Sequence, residues 1–147
     1  HFEVPAEAIC EALNGYIPSN NRSQLTETKD NHLIVDAYNA NPTSMMAALE
    51  NFRLMEVAHK VAILGDMKEL GEGSVDEHRK IVSFLEGCGF ERIILVGDEF
   101  GKANSGFEWY KNTDDLKAKI SEEKISGKFV LIKGSNSMKL APLKDIL

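Results

Sequence analysis

Four short apolar runs in this chain each end at small or charged residues, and helical patterns separate them along the sequence. The runs cover residues 33–35, 60–64, 92–96 and 129–132. They are rich in Ile, Val and Leu and are bounded by turn-forming residues, which is typical of strands buried on both faces. Strands that alternate with helices form βαβ units. The pattern therefore predicts an α/β fold with a mostly parallel sheet.

Residues 22–36 add an antiparallel pair to this prediction. Residues 22–28 alternate enough to form a strand, and Lys29-Asp30-Asn31 forms a turn before the next apolar run. Two extended segments joined by so short a turn pair as a hairpin. A further short strand is predicted at residues 107–110. We therefore expect a mixed sheet in which most strands are parallel.

The helices are predicted from their apolar spacing and their capping residues. Asn41 is a suitable N-cap, and Pro42 suits the first helical position. Ser74 is predicted to cap the next long helix, with Glu77 completing a capping box. Thr113 is predicted to cap a helix that follows the strand at residues 107–110. The predicted helices cover residues 4–14, 42–57, 74–86, 113–123 and 141–147.

Length and composition indicate one ordinary globular domain covering residues 1–147. The net charge of −6 argues against a nucleic-acid partner. No apolar run approaches the roughly 20 residues of a membrane helix, so we expect no membrane partner. Cys10 and Cys88 form no CxxC pattern and the histidines are scattered, so we expect reduced thiols, a cytoplasmic location and no metal site. A chain that begins at His1 rather than Met is expected to be a fragment.

The candidate site lies where the strands end. The carboxyl ends of parallel strands meet along one edge of a sheet, and this edge is where ligands bind in open α/β folds. Four polar turns are therefore expected to converge there. They are Asp36, Gly65-Asp66, Gly97-Asp98 and Lys133-Gly134-Ser135.

The first of these turns suggests a nucleotide site. Asp36 could accept hydrogen bonds from a ribose or simply cap its turn. Tyr38 could stack on a base or cover the sheet edge, and Asn39 and Asn41 offer amide donors and acceptors. Arg22, just before a strand, could bind a phosphate through two nitrogens or remain a surface arginine.

The later turns suggest contacts with charged groups. Lys133-Gly134-Ser135 could hold a phosphate or a carboxylate. Asp66, Glu69 and Glu72 could attract an amine or Mg²⁺, or form a solvated loop. His78 lies within a helix and is expected to be structural or exposed. The sequence contains neither GxxxxGK[ST] nor GxGxxG, so any ATP chemistry needs its main phosphate-binding loop elsewhere.

Three motifs in order closely resemble the C-terminal domain of the Mur ligases, ATP-dependent ligases of bacterial peptidoglycan synthesis. The tyrosine and paired asparagines resemble the branch of the family that joins D-Ala-D-Ala to UDP-MurNAc-tripeptide. The motifs are DAYNANPTSM at residues 36–45, LGDMKELG at 64–71 with His78-Arg79 downstream, and KGSNSM at 133–138.

The resemblance implies a three-layer, Rossmann-like domain with about six strands that closes over a central ATPase domain. In the family, the central domain carries the phosphate loop and holds most of the Mg²⁺ ligands, and an N-terminal domain binds the UDP group. Both domains are expected to be absent from these residues. The ATP site would be shared with the central domain, and the chain alone would be an inactive monomer.

The resemblance also implies roles for individual residues. Those facing ATP would be Arg22 at the phosphate, Asp36 at the ribose, and Tyr38, Asn39 and Asn41 at the nucleotide and its neighbouring loop. Those facing the dipeptide would be Asp66, Lys133, Gly134 and Ser135. No catalytic residue or metal ligand is expected within this chain.

Two other interpretations remain open from the sequence. The chain could be the matching domain of another Mur-type ligase that adds a single amino acid. It could also be a Rossmann-like binding module without a catalytic role.

Overall fold

The computed structural model describes residues 24–28, 31–36, 41–67, 70–103, 106–134, 139–140, 143 and 146–147. For residues 24–27 and for Asp36 it describes the backbone and not the side chain. The helix predicted at residues 4–14 lies outside the described residues. So does most of the helix predicted at 141–147. Of that range, residues 143, 146 and 147 are described, and Leu143 lies in a 3₁₀ turn.

The described residues form one mixed sheet of six strands in the order β1-β2-β6-β3-β4-β5. β1 pairs antiparallel with β2, and every other neighbouring pair is parallel. The predicted α/β class and mixed sheet are therefore confirmed. The strands are β1 (Gln24–Glu27), β2 (His32–Asp36), β3 (Lys60–Gly65), β4 (Arg92–Val96), β5 (Glu108–Tyr110) and β6 (Phe129–Lys133).

Four helices connect the described strands. α1 ends at Leu54 rather than near residue 57, because Met55 adopts an extended backbone and its side chain is buried in the core. α3 was not predicted, since it is short and contains Gly101. The helices are α1 (Pro42–Leu54), α2 (Ser74–Glu86), α3 (Asp98–Ala103) and α4 (Thr113–Glu122).

The predicted caps are right at one helix and wrong at two. Asn41 caps α1 with a full capping box, since its Oδ1 accepts from the Ser44 backbone N–H at 2.8 Å and the Ser44 hydroxyl accepts from the Asn41 N–H at 3.1 Å. At α2 the N-cap is Gly73, without a side-chain cap, so the box predicted from Ser74 is wrong. At α4 the cap is Asn112, whose Oδ1 accepts from the Asp115 N–H at 2.8 Å.

Two cores lie on opposite faces of the sheet, which confirms the three-layer arrangement. One contains apolar side chains of α1, α2 and α3, and the other contains those of α4 and the described C-terminal residues. The central strands contribute to both, because successive side chains of a strand point to opposite faces. β3 and β6 are therefore almost wholly buried, as the continuous apolar runs predicted.

A polar cluster supports the short strand β5 at the edge of the sheet. The Arg92 guanidinium donates two hydrogen bonds to the Glu108 carboxylate, at 2.8 Å and 2.7 Å, and the Tyr110 hydroxyl also donates to Glu108. Burial by itself would raise the pKa of Glu108, but these two donors outweigh it and lower the pKa. Burial and the hydrogen bond to Glu108 raise the pKa of Tyr110 to about 12.

This cluster predicts a pH-dependent contribution to stability. A lowered pKa in the folded state means that the cluster stabilises the fold above the unfolded pKa of about 4.3 and loses that effect as pH falls through the folded value. We expect Glu108→Gln to lower the free energy of unfolding by about 1 kcal/mol at pH 7. The difference should shrink between pH 7 and pH 3, as the carboxylate becomes protonated first in the unfolded state and then in the folded state. Urea unfolding at both pH values measures it.

Glu50→Gln serves as the control, because Glu50 is an exposed residue of α1. That substitution should change stability little at either pH. If the Glu108→Gln effect were the same at pH 7 and pH 3, the assignment of this stabilisation to the charged carboxylate would be wrong.

Candidate nucleotide and substrate site

The strand ends do converge, as far as the described residues extend. Asp36 at the end of β2 pairs with Lys133 at the end of β6, and Leu64 in β3 pairs with Lys133 from the other side. Gly65 in turn pairs with Val96 at the end of β4. The parallel register therefore places the ends of β2, β6, β3 and β4 side by side along one rim of the sheet.

The turn after β6 is packed tightly into this rim. Lys133 is fully buried in the central strand, and Gly134 follows it. A Cβ added at Gly134 would lie 3.0 Å from the Gly65 Cα and 2.7 Å from a methyl carbon of Leu140. A glycine is needed here because the turns after β3 and β6 touch through their backbones.

Asp66 lies at the end of β3 and is 1% exposed. Its two carboxylate oxygens accept hydrogen bonds from the backbone N–H groups of Glu99 and Phe100, both at 3.0 Å. These N–H groups belong to the first turn of α3 and have no partner within the helix. The carboxylate therefore satisfies the start of a helix that lies more than thirty residues further along the chain.

Gly97 makes this contact possible. Its φ is +116°, and a Cβ there would lie 2.3–2.4 Å from the carboxylate atoms of Asp66. The sequence predicts Gly97 only as part of a polar turn and does not show that its missing side chain makes room for Asp66. The pair Asp98-Glu99 gave a usable signal for the helix, since acidic residues favour the first turn.

His78 is fully buried beneath this turn. Of the two roles predicted for it, structural or exposed, the structural one is therefore correct. Its Nε2 accepts from the Met67 backbone N–H at 3.0 Å, so Nδ1 carries the proton and donates to the Ser74 carbonyl at 2.6 Å. The imidazole thus binds the chain just after Asp66 to the first turn of α2. The edge of the ring also packs on Phe100, with centroids 4.6 Å apart.

The Ser74 hydroxyl explains why the predicted capping box does not form. It donates to the Glu99 carboxylate at 2.6 Å and lowers the pKa of that group. Ser74 therefore connects the start of α2 to α3 instead of capping its own helix. The residues that join the two helices to β3 are neighbours in space and not in sequence.

An open groove of about 860 Å³ adjoins the start of α1. Residues 41–44 and Ala47 line one side, and Leu70, Gly73 and Glu77 line the other. The capping box holds the first side, while the chain after β3 supplies the second. Backbone N–H groups at a helix start favour anionic groups nearby.

The predicted site residues are described unequally. Arg22, Tyr38, Asn39 and Ser135 lie outside the described residues, and Asp36 is described by its backbone. Asn41, Asp66, Lys133 and Gly134 all lie at the carboxyl-end rim or in the turns that extend from it. Contacts of any of these residues with a nucleotide or a dipeptide stay predictions.

The described part of the chain offers no group of three or more His, Cys, Asp or Glu side chains arranged to hold a metal ion. Within the same residues no helix has the length and apolar character needed to cross a bilayer.

Comparison with known proteins identifies the family. Residues 21–136 match the family model described as "Mur ligase, glutamate ligase domain". The chain therefore belongs to the Mur ligase family. The match covers all six strands of the described sheet.

Three curated relatives of this chain carry the same name. Each is named UDP-N-acetylmuramoyl-tripeptide–D-alanyl-D-alanine ligase. The protein from Rickettsia prowazekii is 30% identical to this chain, over 84% of this chain and 29% of the relative. The one in Treponema pallidum is 30% identical over 98% of the chain and 33% of the relative. The one in Bacillus subtilis is 30% identical over 100% of the chain and 35% of the relative. The chain thus spans about a third of the length of these relatives.

Solved structures show the same likeness. MurF from Acinetobacter baumannii superposes with a TM-score of 0.73 at 27% identity, over 97% of this chain and 33% of that one. MurF from Thermotoga maritima in complex with ADP gives a TM-score of 0.71 at 22% identity, over 89% of this chain and 30% of that one. At this identity the likeness supports the fold alone.

Proposed function

We propose that this chain acts as the C-terminal domain of an ATP-dependent ligase that joins D-Ala-D-Ala to UDP-MurNAc-tripeptide in peptidoglycan synthesis. The observation that carries the proposal is the run of relatives with this name that match along nearly the whole chain. The domain would present the dipeptide and complete an ATP site formed mainly by other domains.

The comparisons favour this activity over the addition of a single amino acid. The structure named UDP-N-acetylmuramoyl-L-alanyl-D-glutamate–2,6-diaminopimelate ligase superposes with a TM-score of 0.52 at 16% identity, which supports the fold alone. The MurF structure from Acinetobacter baumannii scores 0.73. A binding module without a catalytic role is disfavoured because every relative described above is a ligase.

We propose a division of tasks between the polar turns of the rim. The nucleotide side would comprise Arg22, Asp36, Tyr38, Asn39 and Asn41, and the dipeptide side Asp66 and residues 133–135. We propose that Mg²⁺ is held mainly by the central domain, as the resemblance to the Mur ligases implies.

The proposed reaction needs this domain for positioning rather than for a chemical group. ATP converts the tripeptide carboxylate to an acyl phosphate and releases ADP. The amine of D-Ala-D-Ala then attacks the acyl carbon and phosphate leaves. A domain that aligns the amine and the phosphates lowers the barrier through proximity and electrostatics. We further propose that the domain works as a cytoplasmic monomer.

A domain exchange tests the proposal. The full 147-residue chain would replace the corresponding C-terminal part of the Bacillus subtilis relative, and ADP release would be measured with ATP, the UDP-tripeptide and different acceptors. We expect release that depends on D-Ala-D-Ala, and none above background with D-Ala or meso-diaminopimelate. The chain alone should release no ADP, since it lacks a phosphate loop.

A chimera that is folded by circular dichroism and binds the UDP-tripeptide but does not join D-Ala-D-Ala to it would contradict the proposal. Activity with a single amino acid in place of the dipeptide would favour another Mur-type ligase. Submicromolar binding of ATP by the chain alone would contradict a shared nucleotide site.

Two asparagines at helix starts allow a prediction that separates the nucleotide role from a capping role. Asn41 and Asn112 each accept one backbone N–H at 2.8 Å, in α1 and α4 respectively. Replacing either with Ala should lower the free energy of unfolding by about 1 kcal/mol. In the chimera, Asn41→Ala alone should also raise the KM for ATP. Equal effects of both changes on that KM would show that Asn41 acts as a cap and nothing more.

A further inference from the structure

We propose that Asp66 and His78 are positioning residues of this site, which hold the turn after β3 in place for the incoming dipeptide. The inference rests on the proposed function and changes the role predicted for Asp66, which was direct contact with the dipeptide. Asp66 would act through the backbone that it fixes, and His78 would take part although no role at the site was predicted for it.

The first reason is that the described contacts of both side chains point into the protein. Asp66 is 1% exposed and His78 is fully buried. Both oxygens of the Asp66 carboxylate accept backbone N–H groups of α3, and both ring nitrogens of His78 are hydrogen-bonded to backbone. Both side chains are therefore buried, and these hydrogen bonds join them to the backbone of the fold.

The second reason is what these hydrogen bonds hold. The Asp66 carboxylate binds the first turn of α3, and the His78 ring binds the Met67 N–H on one side and the Ser74 carbonyl on the other. Residues 65–67 are therefore tied to two helices at once. The His78 Nε2 lies 4.0 Å from an Asp66 oxygen, so the two side chains form one buried unit.

The third reason is the place of this turn in the site. The Gly65 backbone lies against Gly134, where a Cβ would come within 3.0 Å of it, so any shift of the β3 turn moves the Lys133-Gly134 turn as well. The same stretch of chain continues to Leu70 and Gly73, which line the groove opposite the start of α1. A residue that fixes Met67 therefore controls both the rim and one wall of the groove.

Two substitutions at His78 separate positioning from general packing. Gln places an oxygen where the ring has Nε2, so His78→Gln keeps the acceptor for Met67. Asn instead places an amide donor where the ring has Nδ1, so His78→Asn keeps the bond to Ser74 and loses the one to Met67. Each variant thus retains one of the two hydrogen bonds, and the Met67 bond is the one that reaches the rim.

The experiment measures KM and kcat in the chimera described above. We expect His78→Asn to raise the KM for D-Ala-D-Ala by at least about tenfold, as loss of one buried hydrogen bond allows. His78→Gln should change it by no more than about threefold. The KM for UDP-MurNAc-tripeptide should stay the same in both, because that substrate would be held by the other domains. Asp66→Asn should behave like His78→Asn.

Asn31→Ala is the control for lost stability, since it removes buried hydrogen bonds at the opposite end of the sheet. It should leave the KM for the dipeptide unchanged. If Asn31→Ala raised that KM as much as His78→Asn, or if neither His78 variant changed it, the positioning role would be wrong.

A second measurement keeps this result separate from failure of the proposed function. In the isolated chain, amide hydrogen exchange at Met67 should accelerate in His78→Asn and not in His78→Gln. An unmodified chimera that does not join D-Ala-D-Ala to the UDP-tripeptide would overturn the proposed function. Unchanged exchange at Met67 in His78→Asn would overturn the positioning role whatever the chimera does.

Discussion

Gly97→Ala is expected to lower the free energy of unfolding by about 3–5 kcal/mol. Two costs add: an alanine at a φ of +116° is strained, and its Cβ would lie 2.3–2.4 Å from the Asp66 carboxylate. The carboxylate has no room to retreat because it is held by the first turn of α3. Urea unfolding should show a midpoint lowered by more than about 1 M.

Gly106→Ala provides the matched control for this prediction. Gly106 has a nearly identical φ of +121°, but a Cβ there meets nothing within 4 Å. It should therefore cost the backbone strain alone, about 1–3 kcal/mol. The difference between the two variants measures the clash with Asp66. Equal losses would show that the Asp66 turn yields easily and that the rim is less rigid than the close contacts indicate.

Asn31→Asp is the second change with a large expected effect, about 3 kcal/mol or more in unfolding free energy at pH 7. Asn31 is fully buried, and its Nδ2 donates to the carbonyls of Ile125 and Leu147, both at 2.8 Å. Its Oδ1 accepts from the Lys128 N–H at 3.1 Å. Aspartate has nearly the same shape, but it would place a charged oxygen against two carbonyl oxygens.

The same substitution at Asn112 is the control, because Asp and Asn are about equally good N-caps and Asn112 is exposed. Asn112→Asp should change stability by less than about 0.5 kcal/mol. The loss in Asn31→Asp should shrink as pH falls, since a protonated carboxyl can donate to one of the carbonyls. A loss that did not depend on pH would contradict this account of the Asn31 contacts.

The Asn31 contacts also show how a residue predicted only as part of a turn can organise the fold. The side chain joins the start of β2 to Ile125 and Lys128 before β6, and to Leu147 near the C-terminal core. Turn propensity predicted that Asn31 lies between two strands. No neighbouring residue in the sequence indicated that its side-chain amide would be buried. The hydrogen-bond partners lie about a hundred residues away along the chain.

Prediction of the fold succeeded where the signal was local. The apolar runs of β3, β4 and β6 identified buried central strands, and Asn41-Pro42 identified the start of α1. It failed at α3, because a six-residue helix with a glycine depends on the distant Asp66 carboxylate at its first turn. It failed at the cap of α2 because the Ser74 hydroxyl binds Glu99 of another helix.

The sequence alone determined that this protein has a mostly parallel α/β sheet and that polar turns end its strands, because apolar periodicity and turn chemistry act over a few residues. Its motifs were also enough to indicate the Mur ligase family, which the family match confirms. The tertiary structure alone decided what each polar residue holds. Asp66 caps a helix, His78 anchors a backbone turn and Asn31 joins three segments, because buried polar groups take whichever partners the packed chain brings near.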